Sequence, residues 1–242
     1  MAKILAEKIL CRAPFLYRAL LSLHKPFNHE KAIYLRLVKR GDVVIEVGAN
    51  TGYFSMLFAN IVGEKGHVIA LEPIPQTRMT LLQNVQDLKW ITVLPYAVSN
   101  EEGKCEMFIP GEIHGQASLK QHSDSAWGNE SVSQVTVDCL SLARLEQMYS
   151  FGRVNFIKVD VEGAEMQVLK GAREILLRDH PILHLEIEDR WMKSFGYGAA
   201  DIEFFLRSVG YTFFAAYDKD FVVLDSLKSF KGGNVVCSSR RI

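Results

Sequence analysis

The sequence has no excess of charge of either sign, because 28 Lys and Arg residues balance 28 Asp and Glu residues among its 242 positions. A nucleic-acid partner held through a basic surface is therefore not expected. The four cysteines are far apart and form no C-x-x-C pair, so we expect neither a zinc site nor a disulfide framework. We therefore predict reduced thiols in a cytoplasmic protein. The length and the lack of repeats predict one globular domain with a large core.

The sequence also lacks an uninterrupted apolar run long enough for a signal peptide or a membrane-spanning helix. Residues 1–23 instead alternate apolar stretches with the basic residues Lys3, Lys8, Arg12 and Arg18. This pattern is typical of a basic amphipathic helix. We expect residues 1–40 to form an N-terminal helical extension packed on a domain of residues 41–242. Weak attachment of the extension to an anionic membrane surface is the alternative.

The most informative segment describes a strand, a glycine turn and a helix. Residues 43–47 form a β-branched apolar run that is typical of a strand covered on both faces. Gly48 and Gly52 bracket a tight turn in which the backbone can approach a ligand closely. Asn50 and Thr51 are residue types that cap helix N-termini, and an apolar stripe of helical period follows them.

The turn departs from the dinucleotide-binding fingerprint G-x-G-x-x-G, because Asn50 occupies the position of the middle glycine. Glu46 also places a carboxylate next to the turn, which disfavours a phosphate and favours an ammonium or a sulfonium. S-adenosylmethionine carries both of these cationic groups and no phosphate. Glu72 ends the next predicted strand, residues 67–71, at the position where such folds bind a ribose diol. A turn that only connects a strand to a helix is the structural alternative.

Alternating strands and helices continue beyond Glu72. Residues 90–94 predict a third strand, and residues 95–99 follow it where an adenine would lie in such a fold. Residues 104–109 and 132–137 predict an antiparallel pair within a lid-like insertion of about residues 104–135. The polar stretch between these two strands holds four side chains that could each touch an acceptor: His114, Ser118, His122 and Trp127. Solvated loop side chains are the structural alternative, and none of the four is predicted individually.

A second strong signal is the block from Val154 to Glu165. Lys158, Asp160 and Glu162 alternate with apolar residues, which predicts three charged groups on one face of a central strand over residues 156–161. Charged groups in such a place are unfavourable unless they are paired or used. An ion pair between Lys158 and Asp160 is the structural interpretation. The functional one places Asp160 beside the ligand crevice at the carboxyl end of the strand.

These segments resemble the FkbM-type methyltransferases, which are class I enzymes that depend on S-adenosylmethionine. The lysine–aspartate–glutamate block is specific to that family, whereas the glycine motif is shared by all class I methyltransferases. The resemblance covers about residues 41–190. It is carried by Glu46–Gly52, Leu71–Pro73, Ala97–Ser99, Gly115–Leu119, Ile157–Glu165 and Val168–Ala172. It implies a Rossmann-like α/β fold: a mostly parallel, seven-stranded sheet with helices on both faces and an antiparallel terminal strand.

The resemblance also implies roles for individual residues. The methionine part of the cofactor would be held by Glu46, Gly48, Ala49, Asn50, Thr51, Gly52 and Tyr53. Glu72 would bind the ribose, Ala97 and Val98 would lie near the adenine, and Asp160 would lie beside the methyl group. Many class I enzymes have an acidic residue at the position of Ala97, so here the backbone or Ser99 would have to bind the adenine amine.

The predicted reaction is methylation of a hydroxyl on a small molecule or a sugar. Asp160 is the expected general base, Lys158 would orient it, and Glu162 and Glu186 are alternatives. A divalent cation held by Asp160, Glu186 and Glu188 is possible but not predicted. Two other functions stay open, an NAD(P)-dependent oxidoreductase and a cofactor-binding module without turnover. The acceptor and the oligomeric state are not indicated.

Overall fold

The fold was analysed in a computed structural model of the chain. It describes residues 9–10, 12–13, 16, 29–111, 116–122, 127, 131–217, 220–230 and 232–242. The loop residue His114 therefore lies outside the described residues. Of the predicted helix over residues 1–23, only residues 9–10, 12–13 and 16 are described. Within the described part, no helix is long and apolar enough to cross a membrane.

The described residues contain eleven strands, which form two sheets. They are β1 (Val43–Val47), β2 (His67–Leu71), β3 (Ile91–Leu94), β4 (Tyr96–Val98), β5 (Gly103–Pro110), β6 (Val132–Leu140), β7 (Phe156–Val159), β8 (Ile182–Ile187), β9 (Phe213–Tyr217), β10 (Phe221–Leu224) and β11 (Gly233–Ser238).

Eight helices are described between these strands. They are α1 (His29–Leu37), α2 (Tyr53–Val62), α3 (Pro75–Val85), α4 (Leu142–Tyr149), α5 (Glu165–Gly171), α6 (Arg173–Asp179), α7 (Asp189–Phe195) and α8 (Ala199–Ser208). Two short 3₁₀ turns, Gly63–Lys65 and Leu227–Ser229, are also described.

The main sheet has the order β10-β9-β11-β8-β7-β1-β2-β3. The five strands from β8 to β3 run parallel to one another, whereas β11, β9 and β10 are added by antiparallel pairing. The mostly parallel α/β sheet is thus confirmed. The predicted number of seven strands is wrong, because Phe221–Leu224 adds an eighth strand at the edge. Its four residues follow β9 so closely that the sequence gives them no separate periodic signal.

The sheet is buried on both faces, as the apolar runs predict. On β1, Ile45 and Val47 belong to the core on one face, while Val44 belongs to the core on the other. Helix α1 packs on the Val44 side, where Ile33, Tyr34, Leu35 and Val38 are buried. The described part of the predicted N-terminal extension is therefore integral to the core, and a boundary at residue 40 stays a prediction.

The predicted antiparallel pair is confirmed as β5 and β6, which are joined over Gly103–Pro110 and Val132–Leu140. With β4, which lies parallel to β6, they form a separate three-stranded sheet. Ala97 of β4 belongs to the small apolar core of this sheet. The insertion thereby brings its loop to the carboxyl ends of β1 and β2, because β4 follows β3 after a single residue.

Two local predictions are wrong. Asn50 and Thr51 do not cap α2; the helix begins at Tyr53 after Gly52, which has φ +82° and leaves the N-terminus without a side-chain cap. The strand predicted over residues 156–161 ends at Val159. Glu162 is therefore not on the strand face with Lys158, because it lies in a turn and has φ +50°.

Candidate functional site

A cleft opens at the carboxyl ends of β1, β2 and β7, with an empty volume of about 960 Å³ including its mouth. Ligands bind at this edge in open α/β sheets. The lining includes all thirteen predicted site residues except Gly52. They are Glu46, Gly48, Ala49, Asn50, Thr51, Tyr53, Glu72, Ala97, Val98, Lys158, Asp160 and Glu162.

The two glycines of the turn have different roles. Gly48 has φ +83°, and a Cβ there would overlap the backbone carbonyl oxygen of Asp160. It allows the turn after β1 to lie directly against the end of β7. A Cβ on Gly52 would instead overlap the side chain of Leu81 on α3, so this glycine serves the packing of α2 on α3.

Glu72 fixes the shape of the turn. Its Oε2 accepts a hydrogen bond from the backbone N–H of Asn50 at 2.9 Å, and its Oε1 accepts one from the N–H of Ile74, also at 2.9 Å. Asn50 adopts φ +49°, a left-handed conformation that asparagine tolerates better than most residues. Burial raises the pKa of Glu72 to about 7, although the two N–H donors and Arg78 act in the opposite direction.

The side chain of Glu46 is buried beneath the turn. Its Oε2 accepts a hydrogen bond from the hydroxyl of Ser55 on α2. Burial raises the pKa of Glu46 to about 7, while Lys158, its neighbour in register on β7, lowers it. A cationic group placed beside Glu46 would favour the charged carboxylate for the same reason.

Lys158 and Asp160 form an ion pair, with 2.8 Å between Nζ and Oδ2. The lysine side chain is 2% exposed and the aspartate side chain is 37% exposed, so the pair extends from the buried sheet to the cleft. Burial alone would lower the pKa of Lys158, but the charges of Asp160 and Glu46 raise it above its usual value. The amine is therefore held as an ammonium that orients Asp160.

Three carboxyl groups meet at the end of β7. Asp160, Glu162 and Glu186 each have an oxygen within 4.8 Å of the others. This spacing would admit a divalent cation, although Glu162 takes the place that the sequence suggested for Glu188. Burial, then the charges of Glu186 and Asp160, raise the pKa of Glu162 to about 9. Burial and Asp160 raise that of Glu186 to about 8.

The insertion supplies one wall of the cleft, where Ala117 and Leu119 are among the lining residues. Between them, the Ser118 hydroxyl donates a hydrogen bond to the carbonyl oxygen of Glu162 at 2.8 Å. His122 contacts the same oxygen through Nε2 at 2.9 Å. Of the four loop side chains singled out in the sequence, Ser118 and His122 are thus brought to the site through this carbonyl.

The third described loop residue, Trp127, does not line the cleft. Its ring is buried and meets the His122 ring edge-on, with 4.9 Å between the centroids. Ser99 also lies outside the lining, and its Oγ accepts a hydrogen bond from the backbone N–H of Glu101. Near the predicted adenine position, the structure instead offers Tyr96, Ala97 and Val98.

Two groups of supporting residues were given no role in the sequence analysis. Glu165 accepts hydrogen bonds from the backbone N–H groups of Gly163 and Val161, at 3.2 and 3.4 Å, and so shapes the turn at Glu162. On the other side of β7, the Tyr34 hydroxyl lies 3.2 Å from Nδ1 of His184, next to Lys158 in the sheet. The contact between Tyr34 and His184 has no local pattern in the sequence, because the two residues are 150 positions apart.

The fold and the site together define a class I methyltransferase domain of the kind that uses S-adenosylmethionine. In agreement, the profile of the methyltransferase FkbM domain matches residues 46–213. The chain therefore belongs to the FkbM methyltransferase family, and the resemblance seen in the sequence, with its predicted fold and cofactor class, is confirmed.

Individual relatives agree with this membership. The chain is 32% identical over 146 residues to the hexuronic acid methyltransferase AglP of Haloferax volcanii, which covers 60% of this chain and 55% of that protein. It is 24% identical over 164 residues to methyltransferase 1 of Beauveria bassiana, which covers 62% and 66% of the two chains. The chain thus spans between half and two thirds of the length of these curated relatives.

Among solved structures, the FkbM methyltransferase of Methylobacillus flagellatus KT superposes with a TM-score of 0.51 at 14% identity. The match covers 86% of this chain and 50% of that one. At this identity the similarity concerns the fold alone.

Proposed function

We propose that the chain transfers a methyl group from S-adenosylmethionine to a hydroxyl of a small molecule or a sugar. The observation that carries the proposal is the Lys158–Asp160 ion pair, which ends in the same cleft as the glycine turn. We name the part of the cleft lined by residues 46–51, Tyr53 and Glu72 the cofactor end. The part beside Asp160, Glu162 and Glu186 is the acceptor end.

The residues at the cofactor end fit this cofactor. The turn after β1 has no side chain at Gly48 and is held in shape by Glu72, which leaves a cradle for the methionine part. The carboxyl groups of Glu46 and Glu72 match an ammonium and a ribose diol, and the apolar Ala97 and Val98 match the adenine face. The acidic surroundings would disfavour the phosphates of NAD(P), which weakens the oxidoreductase alternative.

When bound, S-adenosylmethionine supplies a methyl group already activated by its sulfonium. The protein then has to position the acceptor hydroxyl and remove its proton. Lys158 holds Oδ2 of Asp160, so Oδ1 is the oxygen proposed to take that proton. Glu162 and Glu186, whose pKa values are raised by burial, would be protonated and able to donate hydrogen bonds to the acceptor.

A sugar acceptor is favoured by the name of one relative, a hexuronic acid methyltransferase. The test is transfer of radiolabelled methyl from S-adenosylmethionine to a panel of methyl glycosides of glucuronic acid, glucose and glucosamine. Mass spectrometry of the product would then distinguish O- from N-methylation. Calorimetric titration with S-adenosylhomocysteine and with NADH runs beside it. Binding of NADH but not of S-adenosylhomocysteine would refute the proposal. Binding of S-adenosylhomocysteine without methyl transfer would support a cofactor-binding module that has no turnover.

The carboxyl cluster motivates one extension of this assay. Asp160, Glu162 and Glu186 are spaced closely enough to hold a divalent cation, which could acidify a hydroxyl directly. Activity is therefore measured with EDTA and with added magnesium. Unchanged activity in EDTA would indicate proton removal by Asp160 without metal. The cytoplasmic location and the membrane contact of residues 1–23 stay predictions from the sequence.

A further inference from the structure

One segment of the insertion is attached to the acceptor end at a single atom. We name residues 116–122 the roof segment, because Ala117 and Leu119 line the cleft. Ser118 is fully buried, and its backbone N–H and carbonyl pair with those of Phe108 on β5 at 3.0 and 2.8 Å. The segment is thus anchored at one side to the small sheet. It is also attached to the acceptor end through the carbonyl oxygen of Glu162.

The acceptor at this position determines which nitrogen of the neutral His122 ring carries the proton. A carbonyl oxygen only accepts hydrogen bonds, so both the Ser118 hydroxyl and Nε2 of His122 must donate to it. Nδ1 of the neutral ring then accepts a hydrogen bond from the Ser194 hydroxyl on α7 at 2.9 Å. Burial lowers the pKa of His122, although its bond to the Glu162 carbonyl acts in the opposite direction, so the ring is held neutral in this tautomer.

The peptide that receives these bonds is confined from the other side as well. Gly163 has φ +103°, and a Cβ there would lie 2.8 Å from the carbonyl oxygen of Trp191 on α7. Its own carbonyl oxygen accepts a hydrogen bond from the Tyr197 hydroxyl at 2.6 Å. Glu162 itself has φ +50°, a backbone conformation that is unfavourable for a residue with a Cβ and persists when its surroundings hold it there.

We propose that Ser118 and His122 are positioning residues for methyl transfer. By holding the Glu162 carbonyl, they keep the turn in its left-handed conformation and so direct the Glu162 carboxyl toward Asp160 and Glu186. The roof segment and the acceptor end then move as one unit, although His122 and Glu162 are 40 positions apart in sequence. The inference rests on the proposed function, because it concerns the same acceptor end.

The test compares four variants of the whole chain. Ser118→Ala and His122→Leu each remove one donor, and His122→Gln keeps an N–H near the position of Nε2. Lys120→Met is the matched control: its Nζ bonds to the Ser194 carbonyl at 3.2 Å, so it also attaches the roof segment to α7, but not to Glu162. Three quantities are measured: hydrogen exchange of residues 161–165, affinity for S-adenosylhomocysteine, and kcat/KM with the acceptor found in the glycoside panel.

We expect Ser118→Ala and His122→Leu to speed exchange of the 161–165 amides and to lower kcat/KM by roughly 10- to 100-fold, as a displaced catalytic group does. Affinity for S-adenosylhomocysteine should change less than about threefold, because its proposed ligands are not touched. His122→Gln should recover most of the rate, and Lys120→Met should behave as the parent chain.

Three outcomes would overturn the inference. They are unchanged exchange in both donor variants, an equal loss of rate in Lys120→Met, or a loss in His122→Gln as large as in His122→Leu. Ser118→Ala removes one oxygen and is the variant expected to fold in any case. The hydrogen-exchange measurement needs no acceptor, so it tests the contact with Glu162 even if the parent chain methylates nothing in the panel. Such a lack of methylation would count against the proposed function alone.

Discussion

At the cofactor end, most of the lining comes from one continuous stretch of chain, residues 46–51 and Tyr53, supported by Glu72. At the acceptor end, Asp160 and Glu162 come from the end of β7, Glu186 from β8, and the neighbouring wall from the insertion. The first region takes its shape from a backbone turn, which a single Cβ can spoil. The second takes its shape from contacts between distant segments, where a substitution is expected to change the chemistry more than the fold. Four substitutions test this difference between the two ends of the cleft.

The largest effect is expected from Gly48→Ala. The new Cβ would overlap the carbonyl oxygen of Asp160 and also impose φ +83° on alanine, so both ends of the cleft are displaced together. We expect loss of S-adenosylhomocysteine binding in calorimetry and destabilisation of about 4 kcal/mol or more in urea unfolding. The control is Gly41→Ala, which has φ +88° but nothing within 4 Å of the new Cβ. It should lose only about 1 kcal/mol, and an equal loss would mean that backbone strain alone matters.

The second change is Asp160→Asn, which should affect chemistry without affecting the cofactor end. The amide keeps the size of the side chain but cannot take a proton, so we expect turnover to fall by roughly 10²- to 10⁴-fold. S-adenosylhomocysteine should still bind in calorimetry. Glu188→Gln is the matched control, because Glu188 is outside the group of three carboxyls that meet at 4.8 Å. Full activity of the asparagine variant would transfer the role of base to another group.

The sequence predicted the cofactor end better than the acceptor end for a physical reason. Residues 43–53 form a strand, a turn and a helix through local contacts, so their pattern is visible in one short segment. Even there it missed that Asn50 turns its N–H to Glu72 instead of capping α2. The contact of His122 with Glu162 spans 40 positions and has no periodic signal. The eighth strand was missed because β10 begins at Phe221, soon after β9 ends at Tyr217, and so shows no separate periodic signal.

A third change, Glu72→Gln, tests how far the cofactor end depends on one side chain. One carboxylate oxygen becomes an NH₂ group that cannot accept from the N–H of Asn50 or Ile74, so one of these donors is left unsatisfied. We expect affinity for S-adenosylhomocysteine to fall by roughly 10-fold, with little effect on kcat at saturating cofactor. An unchanged affinity would show that the turn holds its shape without Glu72.

The smallest effect expected is a dependence of stability on pH that originates at the acceptor end. The folded-state pKa values of Glu162, about 9, and of Glu186, about 8, are far above the ordinary value of 4.5. Between pH 5 and 8 the folded chain therefore binds protons at these sites that the unfolded chain has released. By linkage, the free energy of unfolding must fall as the pH rises through this window.

Asp160, Glu165 and Glu186 oppose ionisation of Glu162, whereas Arg190 favours it. Glu162→Gln removes the titrating group and keeps its shape. We expect the variant to be more stable than the parent at pH 8 by on the order of 1–2 kcal/mol, and the difference to be much smaller at pH 5, close to the unfolded pKa of about 4.5. Urea unfolding at the two pH values measures the difference. A variant less stable at pH 8 would mean that Glu162 is ionised and paired in the folded chain, as it would be around a bound divalent cation, so the comparison is made with and without EDTA.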